Sequence, residues 1–353
     1  MFDVVTVGTA TRDVFLRSEL FRVFRDPKHL EKIGVTTGVA QCFALGSKIE
    51  VGAPIYEVGG GAANAAVTFQ RQGFATAVVA EVGDDAAAEE IQRDLQKRGV
   101  RPFLVHNQRR GTAYSVILVA DSGGRTILHY RGASHFLTYT QFPRRAFHAK
   151  WAYLAPGSIA ADELMNICRE FRKHGARLAI NPSKHYLKLG KTRLNRLLRL
   201  MEVVIVNQEE ASLLTGISYR DEARIFRAFD AIVGGIAVMT EGPAGVKVSD
   251  GKVIYRAGVF PEKKVVDRTG AGDAFGAGFV AGLLHGMKQQ AQKTPSSFYN
   301  LEVIKFAITL ASANATAVVE QIGAHTGALS FAQFHRGRRW KNFKVAAKKI
   351  SEY

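Results

Sequence analysis

The sequence predicts an α/β fold, a doubly wound, mostly parallel sheet with helices on both faces and a small antiparallel β lid. Three observations carry this reading. Apolar runs with β-branched residues recur along the chain, several are separated by segments of helical period, and one pair is joined by a short turn. The runs are "FDVVTVG", "TAVVAEVG", "AYSVILVAD", "WAYLAPG", "RLAINP", "VVIVNQ" and "IAVMTEG". Helix-period segments such as Asp84 to Arg98, Ala161 to His174 and Lys191 to Glu202 lie between them. Parallel strands need crossovers long enough to hold a helix, so this alternation argues for a parallel sheet covered on both faces.

The lid comes from the segments that break the alternation. "YSVILVADSGGRTILHYRG" reads as two strands joined by the turn Asp121 to Gly124, and the stretch from Leu16 to Val58 is weakly patterned with strand-like pieces. Parts of 14–58 and 101–131 are therefore assigned to it. No linker and no fixed repeat divides the chain before residue 330, so residues 1–330 are read as one domain with an excursion. Residues 331–353 are set apart as a basic C-terminal tail.

The chain has 353 residues, 47% hydrophobic and 22% charged, an ordinary globular composition. No apolar run is read as a membrane span and no basic leader opens the sequence, so a cytoplasmic location without membrane contact is expected. Cys42 and Cys168 are far apart and lack metal-ligand spacing, which argues against a disulfide framework or a zinc site; both are read as inert packing. The net charge of +17 is the unusual number. Much of it is local, in Lys184, Lys188, Lys191, Arg193, Arg196 and Arg199 and in the tail "HRGRRWKNFKVAAKKI". Trp340 and Phe343 interleave that tail as they would on a nucleic-acid surface, but a solvated face of a terminal helix is the preferred reading, and no nucleic-acid partner is expected.

Chemistry concentrates where strands meet glycines. In "VVDRTGAGDAFGAGFVAGLLHG" the strand-like "KVVD" stops at Gly270 and a helix pattern begins at about Asp273. Glycines at such a junction let a ligand approach the backbone, and the free N–H groups of a helix's first turn attract anions. Asp273 there has two possible uses: capping the helix, or taking a proton from a hydroxyl that attacks a phosphate held beside it. "EVGGGAANAAVTFQRQG" repeats the pattern with Asn64 in place of the acid, a residue suited to hydroxyl-bearing ligands or to a cap. "VTVGTATRD" places Asp13 just past a strand end, where α/β sheets bind ligands and where a solvated loop acid would look the same.

"GGGAAN" and "DRTGAGDAFGAGF", in that order and separation, resemble the two signatures of the ribokinase-like, or PfkB-type, carbohydrate kinase family, and the likeness covers roughly residues 2–330. The resemblance implies transfer of the γ-phosphoryl group of ATP to a hydroxyl of a sugar, nucleoside or related alcohol. It puts the catalytic base at Asp273 and an anion hole at the N–H groups of Gly270, Ala271 and Gly272. Substrate hydroxyls fall to Asp13, Gly59, Gly60 and Asn64. "VNQEE" matches an N-x-x-E motif, giving Asn207 near the phosphates and Glu210 organising Mg²⁺ through water, and "TEGPAGV" gives Thr240, Gly242 and Gly245 at the nucleotide. The resemblance also puts Asn181 of "NPS" at the strand end facing ATP. Asp267 is assigned to a monovalent cation, K⁺, with carbonyls of "EQIGAHTGAL" as co-ligands.

The sequence departs from ribose-specific members at Gly61, where they carry lysine, and at Ala155, where they carry an acid. Ribose is disfavoured as the substrate, while a nucleoside remains the alternative to a sugar. Substrate choice is expected between Leu16 and Val58, Arg268 is bulky beside the cation site, and Asn314 is given no nucleotide contact. An exposed lid edge makes a homodimer expected. Gly190-Lys191-Thr192 is half of a Walker A loop but has His185 where the first glycine belongs, and Gly270, Gly272 and Gly276 miss the dinucleotide spacing, so both rival nucleotide folds are rejected. A non-catalytic binder on the same fold is the remaining alternative.

Overall fold

Thr76–Gly83 is buried along its whole length, as a central strand must be when helices cover both faces. In the computed structural model, which describes residues 1–33, 35, 38–120, 124–189, 191–291 and 299–350, it is one of sixteen strands. In chain order these are β1 Phe2–Gly8, β2 Thr11–Arg17, β3 Val23–Arg25, β4 Val39–Gln41, β5 Ile55–Gly59, β6 Thr76–Gly83, β7 Arg101–Asn107 and β8 Tyr114–Val119. They continue with β9 Arg125–Tyr130, β10 Ala149–Ala155, β11 Arg177–Ile180, β12 Val203–Asn207, β13 Ile236–Thr240, β14 Val246–Ser249, β15 Val253–Ala257 and β16 Val345–Lys349.

The large sheet has ten strands in the order β16-β15-β14-β13-β12-β11-β10-β1-β6-β7. It is parallel from β7 to β13, then antiparallel through β14, β15 and β16. Alternate side chains of one strand serve opposite layers: Trp151 and Tyr153 of β10 join one core and Ala152 and Leu154 the other. Helices Gly61–Arg71, Ala271–Ala291 and Leu301–Val319 pack on the first face, and Ala161–Lys173 and Glu222–Asp230 on the second. The small residues after Asp273 serve this packing, because Gly278 and Gly282 lie against Ala311 and Ala307 of the facing helix. Leu301–Val319 has the length and mean hydropathy, 1.3, of a membrane span, and 67% of it is buried inside the fold.

The lid is a four-stranded sheet ordered β5-β2-β8-β9. Its outer pairs are antiparallel, and its middle pair β2·β8 is parallel. The reason lies in the chain path: β1 ends at Gly8 in the large sheet and β2 starts at Thr11 in the lid, so the lid begins as a continuation of a parallel strand. The β8–β9 hairpin forms as read, although Asp121–Gly123 of its turn lie outside the described residues, as does Gly190 of the half-Walker motif.

Three readings need correction. "KVVD" is not a strand; Val266 and Asp267 N–H donate to the Val319 carbonyl at 2.8 and 3.2 Å, the contacts of a loop on a helix end. The basic tail is not a solvated helix, since Phe331–Arg336 is one short helix and β16 then pairs antiparallel with β15. Trp340 is buried against Phe260, and Phe343 stacks on the same ring. Finally, Cys168 is buried, and burial pushes its thiol pKa up, but Cys42 is exposed rather than packed.

Candidate active site

The site forms where two chain segments leave the large sheet for the lid. Thr9, between β1 and β2, accepts at its carbonyl from Ala62 and Ala63 N–H, 3.1 and 3.3 Å, and at Oγ1 from Gly61 N–H, 3.0 Å. It thereby satisfies donors at the start of helix Gly61–Arg71 that would otherwise be orphaned. Asp13 on β2 is 7% exposed and accepts from Thr11 Oγ1 at 3.0 Å. Burial raises its pKa, and the nearby Asp267 charge adds to that. Gly59 ends β5 beside it, and a Cβ there would overlap the Asp13 carboxylate. Gly60 is the N-cap residue of the helix whose first turn carries Asn64, itself 4% exposed.

The second glycine segment closes the opposite side. Gly270 has φ of 77°, and a Cβ would run into the Ala324 carbonyl, so no other residue lets the loop around Ala324 lie this close. The helix begins at Ala271, which puts Asp273 two residues inside it and off the N-cap position. Its Oδ2 accepts from Asn64 Nδ2 at 2.8 Å. Burial raises the Asp273 pKa, and the Asn64 hydrogen bond opposes the rise. Ala271 N–H makes a long 3.4 Å bond to the Arg268 carbonyl, whereas the N–H groups of Gly270 and Gly272 meet no backbone acceptor among the described residues.

Two cavities share this segment as a wall. One of about 320 Å³ is lined by Asp13, Gly60, Asn64, Gly270 and Asp273 together with lid residues such as Ser115. The other, of about 140 Å³, is lined by Thr240, Gly242, Gly245, Ala271 and Gly272, with Thr316 from helix Leu301–Val319. Gly270 and Asp273 thus face one cavity, and Ala271 and Gly272 the other.

The remaining predicted residues line neither cavity. Asn181 donates from Nδ2 to the Ile205 carbonyl at 2.9 Å. Asn207 and Glu210 form a capping box on helix Gln208–Thr215: Glu210 N–H donates to Asn207 Oδ1 at 2.8 Å, and Asn207 N–H to Glu210 Oε2 at 2.9 Å. Burial raises the Glu210 pKa, and the Asp273 charge contributes, so the two carboxylates feel each other across the site. Mg²⁺ fits that arrangement, because a hard dication relieves the repulsion and needs few protein oxygens. No cluster of three metal-ligating side chains occurs among the described residues.

Asp267 lies elsewhere, in a third cavity lined also by Arg17, Arg125 and Arg268. Its Oδ1 accepts from Thr269 N–H and Oγ1, 2.9 and 2.7 Å, with Arg125 Nη1 3.6 Å away, while its buried Oδ2 has no hydrogen-bond partner. That orphaned oxygen fits a monovalent cation.

Sequence reasoning missed most of the wall of the larger cavity. His129, Arg131, Ser134 and Ser158 line it, but no described residue between Leu16 and Val58 does. The physical reason is that β3 and β4 pair only with each other, as a separate sheet. Arg131 is exposed, donates to Ser158 Oγ at 3.3 Å and forms no ion pair among the described residues. The signal was present in "LHYRGASH", polar residues directly after a lid strand. Asn314 is fully buried and structural, donating to the Ala274 carbonyl at 2.9 Å and accepting from Leu329 N–H at 2.8 Å.

This geometry has relatives. A model of the pfkB family carbohydrate kinases matches residues 27–330. The chain is 30% identical over 241 residues to a fructokinase of Escherichia coli, covering 64% of this chain and 76% of the fructokinase. It is 28% identical over 235 residues to a nucleoside kinase of Methanothermobacter thermautotrophicus, covering 65% and 72%. The fold resembles that of Arabidopsis thaliana ribokinase, solved with ribose and ATP, at a TM-score of 0.74 and 19% identity over 96% of this chain and 98% of that one. With a family model spanning most of its length and both glycine segments meeting at one wall, the chain belongs to the pfkB family of carbohydrate kinases.

Proposed function

We propose that this kinase moves the γ-phosphoryl group of ATP to a hydroxyl of a sugar or sugar-like acceptor. The carrying observation is the shared wall, which sets Asp273 in one cavity and the helix-start backbone of Ala271 and Gly272 in the other. The acceptor would occupy the larger cavity with a hydroxyl against Asp273, which takes its proton. Donors at Gly270 and Gly272 would stabilise charge on the group in transit, and Asn64 holds the base in place. Glu210 would hold Mg²⁺ through water, and the ion would neutralise phosphate charge when bound. Asp267 would hold a monovalent cation behind the anion hole.

A sugar is favoured over a nucleoside. A nucleobase calls for a flat apolar platform, and the larger cavity has no Phe, Tyr or Trp among its described lining residues, its apolar side chains being Ile117, Ile127 and Ala324. The test is phosphoryl transfer from ATP with Mg²⁺ to a panel of hexoses, pentoses, their acids and phosphates, and nucleosides, read as phosphorylated product. Product from the sugar group supports the reading, and product from nucleosides alone replaces it with the nucleoside one. No product at all, with RNA binding that weakens steeply with salt, would overturn it in favour of a binder.

A further inference from the structure

His325 is 1% exposed, on the loop that also covers Gly270 through Ala324, and the mechanism above makes no use of it. Its Nδ1 lies 3.0 Å from Asn64 Oδ1, while Asn64 Nδ2 donates to Asp273 Oδ2 at 2.8 Å. We propose that His325 is a positioning residue for the phosphoryl transfer: its Nδ1–H holds the Asn64 oxygen, so that the amide presents N–H to Asp273. The proposal rests on the role given to Asp273 above.

The chemistry leaves one consistent assignment. A carboxylate accepts hydrogen bonds only, so an Asn64 amide turned by half a rotation would set its oxygen against Asp273 and its NH₂ against the imidazole N–H. Both contacts would then be repulsive or empty in a buried setting, where unmade hydrogen bonds cost most. With the amide as observed, Asn64 Oδ1 requires a proton on His325 Nδ1. The other ring nitrogen is bare: Nε2 is buried with no hydrogen-bond partner, and Asp94 Oδ2 is 4.0 Å away. Arg98 Nε donates to that same Asp94 oxygen at 2.8 Å. A ring with its proton on Nδ1 is a one-way clamp, since Nδ1–H can only donate to Asn64.

Two measurements test this. In protein carrying ¹⁵N-labelled histidine, with His325→Asn used to assign the signal, Nδ1 of His325 should carry a proton at pH 7.5. A proton on Nε2 alone overturns the proposal, and this reading needs no substrate. In turnover, His325→Leu should lower kcat about tenfold while the acceptor KM and ADP affinity change less than twofold. His325→Asn, whose side-chain N–H can stand in for Nδ1–H, should recover most of the loss. Equal kcat in the Leu variant and the parent, or no recovery by Asn, would reduce His325 to packing. A parent without product on any acceptor would sink the proposed function instead, leaving the tautomer to decide the clamp.

Discussion

On one side of the Gly270–Asp273 wall, the smaller cavity is faced mostly by glycines and other small residues such as Gly242, Gly245, Ala271 and Ala315, with Glu262, Arg268 and Phe275 among them. On the other side, the larger cavity gathers polar side chains from distant segments: Asp13 from β2, Asn64 from helix Gly61–Arg71, Ser115 from β8 and Arg131 just after β9. The contrast separates two ways of binding. Backbone donors recognise phosphate wherever a helix begins after glycines, whereas an alcohol is recognised by side chains that only the folded chain brings together.

The largest effect should come from the wall itself. Asp273→Asn is expected to lower kcat by about two to four powers of ten with little change in ADP affinity, measured by single-turnover kinetics and calorimetry. An unchanged rate would return Asp273 to a structural role and remove the functional contrast between the two cavities. Arg131→Ala should act on one side only, raising the acceptor KM about tenfold, the worth of one charge-assisted hydrogen bond, while the ATP KM stays put. A matching rise in both constants would mean that the cavities do not act separately.

The smallest effect concerns stability. Burial raises the Asp273 pKa in the folded state, so its ionised form is the disfavoured one there. The folded protein therefore gains from this group as pH falls below the ordinary carboxylate range and loses that gain as pH rises through the raised value. Asp273→Asn removes the buried charge and should raise Tm at pH 7.5 by roughly 1–3 °C, with the gap to the parent closing toward pH 4. Scanning calorimetry at the two pH values reads it, and a lower Tm at pH 7.5 would show that the carboxylate stabilises the fold.

The sheet was legible because strands buried on both faces are continuous apolar runs, and "TAVVAEVG" is wholly inside. β16 was not, since the edge strand "VAAKK" is almost entirely exposed and reads as a charge run, and β14 and β15 are short runs broken by Lys247 and Arg256. The wall was legible for a similar local reason, as Gly270 and Asp273 sit three residues apart. Arg131 and His325 had no such context. Arg131 meets Ser158 from 27 residues away and His325 meets Asn64 from 261 residues away, and only the fold brings such partners together. Asn207 and Glu210 show the reverse ambiguity, because their spacing suits a helix cap as well as a phosphate site, and the structure uses it as a cap.

Thr9 gives the lid its mechanical character. Two neighbouring lid strands are rooted at this one corner, β2 through Ala10 and β5 through Gly60, whose backbone rests on Thr9 and Ala10. The same threonine grips the first N–H groups of the helix bearing Asn64. The lid and the helix that carries Asn64 thus share one anchor, the carbonyl and hydroxyl of Thr9.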